Sequence, residues 1–159
     1  MSDVYSSDRP PTNEFRRVSY PAGVTDTDPT AFLQRMMPLC ATLQISAGDF
    51  GPELVTLRLD WAPELCTAGG VLHGGVVMAL ADSAGGTAAF LNLPSDASGT
   101  ATIESKTNFI GAIREGTVVA SARPLHIGSS TIIIETEVTN HDRLVAKVTQ
   151  TQAVLRRSS

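Results

Sequence analysis

The chain is short of the residues that most often advertise chemistry. Two cysteines, Cys40 and Cys66, occur among 159 residues, with no metal-ligand spacing and no basis for a disulfide framework. Histidine is scarce as well. His126 and His141 sit in turn-like stretches without a partner that suggests a metal site or a triad, and no metal or other cofactor is expected. A Gly-x-Ser-x-Gly elbow is missing, which argues against a Ser-His-Asp hydrolase of that type. Basic excess is missing too: 12 Lys and Arg stand against 16 acidic residues, a net charge of −4. That balance argues against a general nucleic-acid or anionic-membrane binder. The stretch "MSDVYSSDRPPTNEFRR" lacks the basic-then-apolar order of a signal peptide, so a cytoplasmic protein is expected.

What the chain does contain is ordinary in bulk. Hydrophobic residues make up 42% and charged residues 18%, proportions that suit one soluble globular domain. Residues 1–28, rich in Ser, Asp, Pro and Thr, suggest a partly disordered tail ahead of a single domain over 29–159. Asp28 can cap and Pro29 can open a short helix, which Pro38 ends or bends. Residues 53–61 alternate as a strand does. Residues 74–91 form an apolar helix, and strands follow over 100–113, 116–127, 131–140 and 143–155. Their short links favour an antiparallel meander. One sheet and one helix apolar on all sides predict an α+β domain whose antiparallel sheet wraps around the helix. Such a sheet leaves part of the helix bare, which suggests a second subunit.

The unusual stretch is "GGVLHGGVVMALADSAGG", residues 69–86. A helix starting near Gly74 has unpartnered N–H groups in its first turn, and its dipole there favours negative charge. With no side chain at Gly74 or Gly75, a ligand oxygen can approach those donors, as in an oxyanion hole. Asp82 lies further along the same helix, by about 12 Å at the usual rise per residue. A reacting atom must sit about 3 Å from both the donors and the attacking group, so one copy of the helix cannot supply both. Two antiparallel copies across a two-fold axis could. A carboxylate in so apolar a run is costly to keep unless something uses it. Asp82, the four glycines of the helix and the lack of basic anchors disfavour a membrane span.

At these residues the sequence resembles the hotdog-fold acyl-CoA thioesterases, in their phenylacetate-pathway (PaaI-like) and 4-hydroxybenzoyl-CoA branch. Residues 69–86, "IESKTNFIGAIREGTVVASA" (103–122) and "RLVAKVTQTQAVL" (143–155) carry the resemblance. It implies the wrapped-helix fold, dimers that often pair into tetramers, and hydrolysis of an acyl-CoA to a free acid and coenzyme A. By this resemblance Asp82 is the catalytic carboxylate, as nucleophile or as general base on water. The Gly74 N–H would polarise the thioester carbonyl, with Gly75 and Ser83 beside the substrate. His73 would orient the loop. Thr67 stands where relatives often carry Asn or Gln, and Thr102, with Thr100 next, where they hold the attacking water. Gly128, Ser129 and Ser130 of the "HIGSS" turn would reach the nucleotide end of CoA, although Ser129 replaces a common arginine. Charge could come instead from Arg114, Arg123, Arg143, Arg156 or Arg157. Small residues near Asp82 (Ala79, Ser83, Gly86) leave room for an aromatic or medium-chain acyl group.

Other functions remain to be weighed against hydrolysis. A hotdog module could hold acyl-CoA without turnover. An enoyl-CoA hydratase would need an Asp and a His together at the helix mouth, a spacing His73 and Asp82 do not have. A DNA-binding regulator would need a helix-turn-helix segment, and none accompanies the domain.

Overall fold

The computed structural model describes residues 28–156; the expected tail up to residue 27, and Arg157, lie outside the described residues. Helix α1 (Pro29–Met36) begins where Asp28 Oδ1 accepts from the Thr30 N–H at 2.9 Å. At Pro38 the chain bends directly into α2 (Pro38–Thr42), because proline fits the first position of a new helix. The chain continues through β1 (Ser46–Phe50), β2 (Val55–Asp60), a 3-10 turn at Pro63–Leu65 and α3 (Gly74–Leu91). Four strands follow: β3 (Gly99–Phe109), β4 (Thr117–Ile127), β5 (Thr131–Asn140) and β6 (Arg143–Leu155).

The six strands form one antiparallel sheet in the order β1-β2-β4-β5-β6-β3. Helix α3 packs against β2, β3, β4, β5 and β6, which is the expected hotdog arrangement of a sheet around one long helix. Leu57, Val118, Ile132, Ile134 and Val138 of the sheet meet Val77, Leu80, Ala81 and Ala84 of the helix, all buried. Each large aliphatic side chain so buried stabilises the fold by about 1.5–3 kcal/mol. Among the described residues α3 is the one helix long and apolar enough to cross a membrane, and half of it is buried inside the fold.

Two features depart from the sequence expectation. Strand β1, "SAGDF", shows no apolar alternation, yet it pairs with β2. Gly48 lets it approach, since a Cβ there would overlap Thr56 Oγ1, and the Asp49 N–H donates to that oxygen at 2.7 Å. The second departure is the meander. It holds for β4, β5 and β6, but β3 pairs with β6 at the far edge of the sheet. The free edge of β4 is taken by β2. Strand β3 stops at Phe109, and residues 110–116 form an irregular crossover, not the tight turn expected after 113. The Ile110 and Gly111 N–H groups donate to Val145 O at 2.8 and 3.0 Å, and Leu72 N–H donates to Ile113 O at 2.8 Å.

The sheet covers only one side of α3. Gly75, Met78 and Asp82 are exposed, with Ala79 and Gly86 half-buried beside them. Spacings of three and four residues place these on one face of the helix.

Candidate active site

The chain enters α3 through a loop shaped by glycine. Gly69 and Gly70 have φ of +85° and +70°, a left-handed conformation that side-chain-bearing residues rarely adopt. Thr67 N–H donates to Val71 O at 2.8 Å, His73 N–H to Leu65 O at 2.9 Å, and Arg114 Nη1 to Gly69 O at 2.9 Å. These bonds deliver His73 to the helix N-cap, where its Nδ1 accepts from the Gly75 N–H at 2.9 Å. An accepting Nδ1 requires the proton of the neutral ring on Nε2.

That cap corrects one expectation. The Gly75 N–H is already occupied by His73, because a capping side chain and a ligand compete for the same first-turn donors. Gly74 keeps a free N–H, with no acceptor among the described residues. The Phe109 ring lies over this glycine, and a Cβ at Gly74 would sit 3.1 Å from Phe109 Cζ. Gly74 and Thr67 line a cavity of about 240 Å³ together with Val71, Val77, Phe109 and Ile113. His73→Ala should strip the cap and destabilise the protein by about 1 kcal/mol. A thermal melt should read this as a fall of about 2–4 °C; an unchanged melting temperature would contradict the capping role.

Asp82 stands elsewhere. It is exposed in the single chain, between the buried Ala81 and Ser83, so the carboxylate in the apolar run sits on the bare stripe of α3 and not in the core. Its Oδ1 accepts from Gln150 Nε2 at 2.6 Å and from Thr102 Oγ1 at 3.3 Å. Thr102 Oγ1 in turn accepts from Gln152 Nε2 at 2.8 Å, and Gln152 Oε1, 3.1 Å from Thr100 Oγ1, shares that hydroxyl's proton with Ala153 O at 2.9 Å. Thr100 thus joins Asp82 through Gln152 and Thr102. Asp82 Oδ2 has no partner among the described residues. Asp82, Thr102 and Gly86 line a second cavity of about 260 Å³, walled by Phe32, Met36, Met37, Phe50 and Phe90.

The structure therefore brings Gly74 together with Thr67, and Asp82 together with Thr102, in two separate cavities. Ser83, expected beside substrate, turns into the core instead, because one residue step rotates a helical side chain by about 100°. Its Oγ accepts from Cys40 Sγ at 3.4 Å. Burial pushes the Cys40 thiol above its usual pKa, so it remains a protonated donor and a poor nucleophile. Gly128, Ser129 and Ser130 lie at the β4–β5 turn and line neither cavity. An arginine does reach that turn: Arg156 Nη2 donates to Ser129 O at 2.8 Å while its Nε pairs with Asp96 at 2.9 Å.

Gln150 and Gln152 are site residues that the sequence reading missed. A signal was present. Ala146, Val148, Gln150, Gln152 and Val154 form the buried phase of β6, and two amides in an apolar phase require polar partners inside the fold.

The wrapped helix places this chain among the hotdog proteins, and comparison with known proteins identifies hydrolases of thioesters within that class. Residues 69–147 match the family described as the thioesterase superfamily. The chain is 32% identical over 123 residues to "Putative esterase Rv1847" of Mycobacterium tuberculosis, covering 76% of this chain and 88% of that protein. The solved structure of that protein overlays with a TM-score of 0.74 at 30% identity, covering 77% of this chain and all of that one. A thioesterase family protein from Silicibacter pomeroyi gives a TM-score of 0.72 at 27% identity, covering 80% of this chain and 96% of that one. Thioesterase HI1161 from Haemophilus influenzae gives 0.70 at 25%, covering 78% and 90%. The chain belongs to the thioesterase superfamily.

Proposed function

We propose that the protein is an acyl-CoA thioesterase of the PaaI-like or 4-hydroxybenzoyl-CoA type, active in the cytoplasm, whose site is completed by a second copy of the chain. The observation that carries this reading is Asp82: a carboxylate held at Oδ1 and open at Oδ2, on a bare helix face beside an apolar cavity. Its Oδ2 either attacks the thioester carbonyl or takes a proton from the attacking water. The carbonyl oxygen would gain charge as the tetrahedral centre forms, and the partner's Gly74 N–H would meet it. A two-fold axis at Met78, midway between Gly74 and Asp82, sets each Asp82 opposite the partner's Gly74 when the helices pair antiparallel. Gly75, Ala79 and Gly86 are the small residues of that stripe and permit a close approach beside Met78. Strand β3 supports the same partner: it is a sheet edge, with Ile103, Phe109 and neighbouring Ile110 exposed, and such edges call for cover. Two such dimers would pair to give a tetramer.

The cavity beside Asp82 would take the acyl group. Gly86 lines it, and no heavy atom outside its neighbours lies within 4 Å of where its Cβ would be. The space suits an aromatic ring or a medium alkyl chain, and two flexible methionines in the wall can adapt to either. A panel of acyl-CoAs followed with a thiol reagent tests activity and substrate class together. Aromatic and medium-chain thioesters should release thiol fastest, and Gly86→Leu should raise KM for them by about tenfold while sparing acetyl-CoA. The hydroxyl of Thr67 has a shorter reach than an amide, which favours a second reading, a module that binds without turnover. Thermal-shift binding of acyl-CoA without any thiol release would establish that module and overturn the enzyme.

A further inference from the structure

We propose that Gln150 is a positioning residue that sets the orientation of the Asp82 carboxylate, and that Gly85 exists in α3 to admit it. The inference rests on Asp82 being the reacting carboxylate. Gln150 sits fully buried in the middle of β6, in the phase otherwise given to Ala146, Val148 and Val154. Its Nε2 makes the shorter of the two bonds to Asp82 Oδ1, 2.6 Å against 3.3 Å from Thr102. The Thr102 hydroxyl accepts from Gln152 on a lone pair while it donates to Asp82, so it is the shorter length alone that makes Gln150 the stronger donor. Both bonds fall on the same carboxylate oxygen. Rotation about the Asp82 Cβ–Cγ bond is thereby fixed, and Oδ2 is left outward with no partner among the described residues.

Two further observations separate this role from ordinary packing. Gln150 Oε1 is buried without a hydrogen-bond partner, a standing cost that an apolar side chain of similar volume would not carry. A Cβ at Gly85 would overlap that same oxygen, so the helix holds a glycine, a poor helix former, at the one place where the amide needs clearance. The fold thus gives up stability on both sides of one contact, and the contact delivers a hydrogen bond to the carboxylate.

Gln150→Met keeps length and burial while removing both the donor and the orphaned acceptor. Its kcat for acyl-CoA hydrolysis should fall by about tenfold to a hundredfold, as expected when a reacting group loses its alignment. KM should change less than about twofold, and the melting temperature should hold or rise. Gly85→Ala should lower kcat in the same way with Gln150 present, and it remains a test should the Met variant fail to fold. Unchanged kcat in both variants overturns the proposal. So does a Gln150→Met protein that melts earlier with full turnover per folded site, which is the signature of a packing role. Asp82→Asn in the same assay keeps two failures apart. An active Asp82→Asn enzyme overturns the reading of Asp82 itself, whereas an inactive one beside fully active Gln150→Met and Gly85→Ala overturns the positioning role alone.

Discussion

Asp82→Asn is expected to remove nearly all thiol release, lowering kcat by about 10²–10⁴-fold, while leaving the melting temperature close to that of the parent. Asparagine is isosteric with aspartate, and its carbonyl oxygen can still accept from Gln150 and Thr102, the two donors that hold Oδ1. Its amide nitrogen then occupies the place of Oδ2, where it can neither attack a carbonyl nor accept a proton from water. Asp82→Ala is the less informative change. It leaves the buried Gln150 Nε2 without an acceptor, and an unsatisfied buried donor costs about 1–3 kcal/mol, so lost activity would be mixed with lost stability. Steady-state rates with a thiol reagent, read beside a thermal melt, check the claim. An Asp82→Asn protein with near-normal turnover would sink the chemistry proposed for this site.

Much of the fold was legible because its boundaries are local. Helix α3 spans Gly74–Leu91 and strands β5 and β6 span Thr131–Asn140 and Arg143–Leu155, as the residues suggest. The last two strands meet at His141 and Asp142, whose φ values of +49° and +58° make a tight two-residue turn of the kind that hairpins favour. The position of β3 was not legible. Which edge a strand joins is decided by competition between distant partners, here β2 for β4 and β3 for β6. Strand β1 escaped notice because Gly48 and Asp49 break its pattern for the sake of a close approach to Thr56.

The candidate site divides in the same way. Helical spacing alone separates Gly74 from Asp82, and the two cavities keep that separation. Gly74 and Gly75, however, look equivalent in the sequence. Only the ring of His73, turned back onto the Gly75 N–H, makes Gly74 the free donor. The polar support of Asp82 was hidden for a different reason: Gln150 lies on the last strand, far from Asp82 along the chain, and only the fold brings them within 2.6 Å.

Two inactive variants, mixed, are expected to restore hydrolysis. Gly74→Pro deletes the proposed oxyanion donor with little harm to the helix, since proline is tolerated at the first helical position, but its Cβ requires the exposed Phe109 ring, 3.1 Å away, to shift by a few tenths of an ångström. The preceding residue is already suited to it: His73 is extended, with φ −63° and ψ 132°, the conformation that a following proline imposes. Loss of one such donor should lower kcat by about 10²–10³-fold. In a dimer made of one Gly74→Pro chain and one Asp82→Asn chain, one site pairs an intact Asp82 with the partner's intact Gly74, and the other site carries both defects. Random reassociation of equal amounts makes half of the dimers mixed, so the mixture should recover about a quarter of the parent activity. A site built within one chain would recover none. The reciprocal test has the opposite sign. A chain carrying both substitutions, paired with an unaltered chain, leaves each composite site with one defect, so the purified mixed dimer should be nearly inactive. If each chain held a complete site, that same dimer would keep half the parent activity. Co-expression with two affinity tags and rate measurement on the doubly tagged dimer distinguishes these outcomes, and a monomer-forcing substitution at Met78 should abolish turnover even with Asp82 and Gly74 intact.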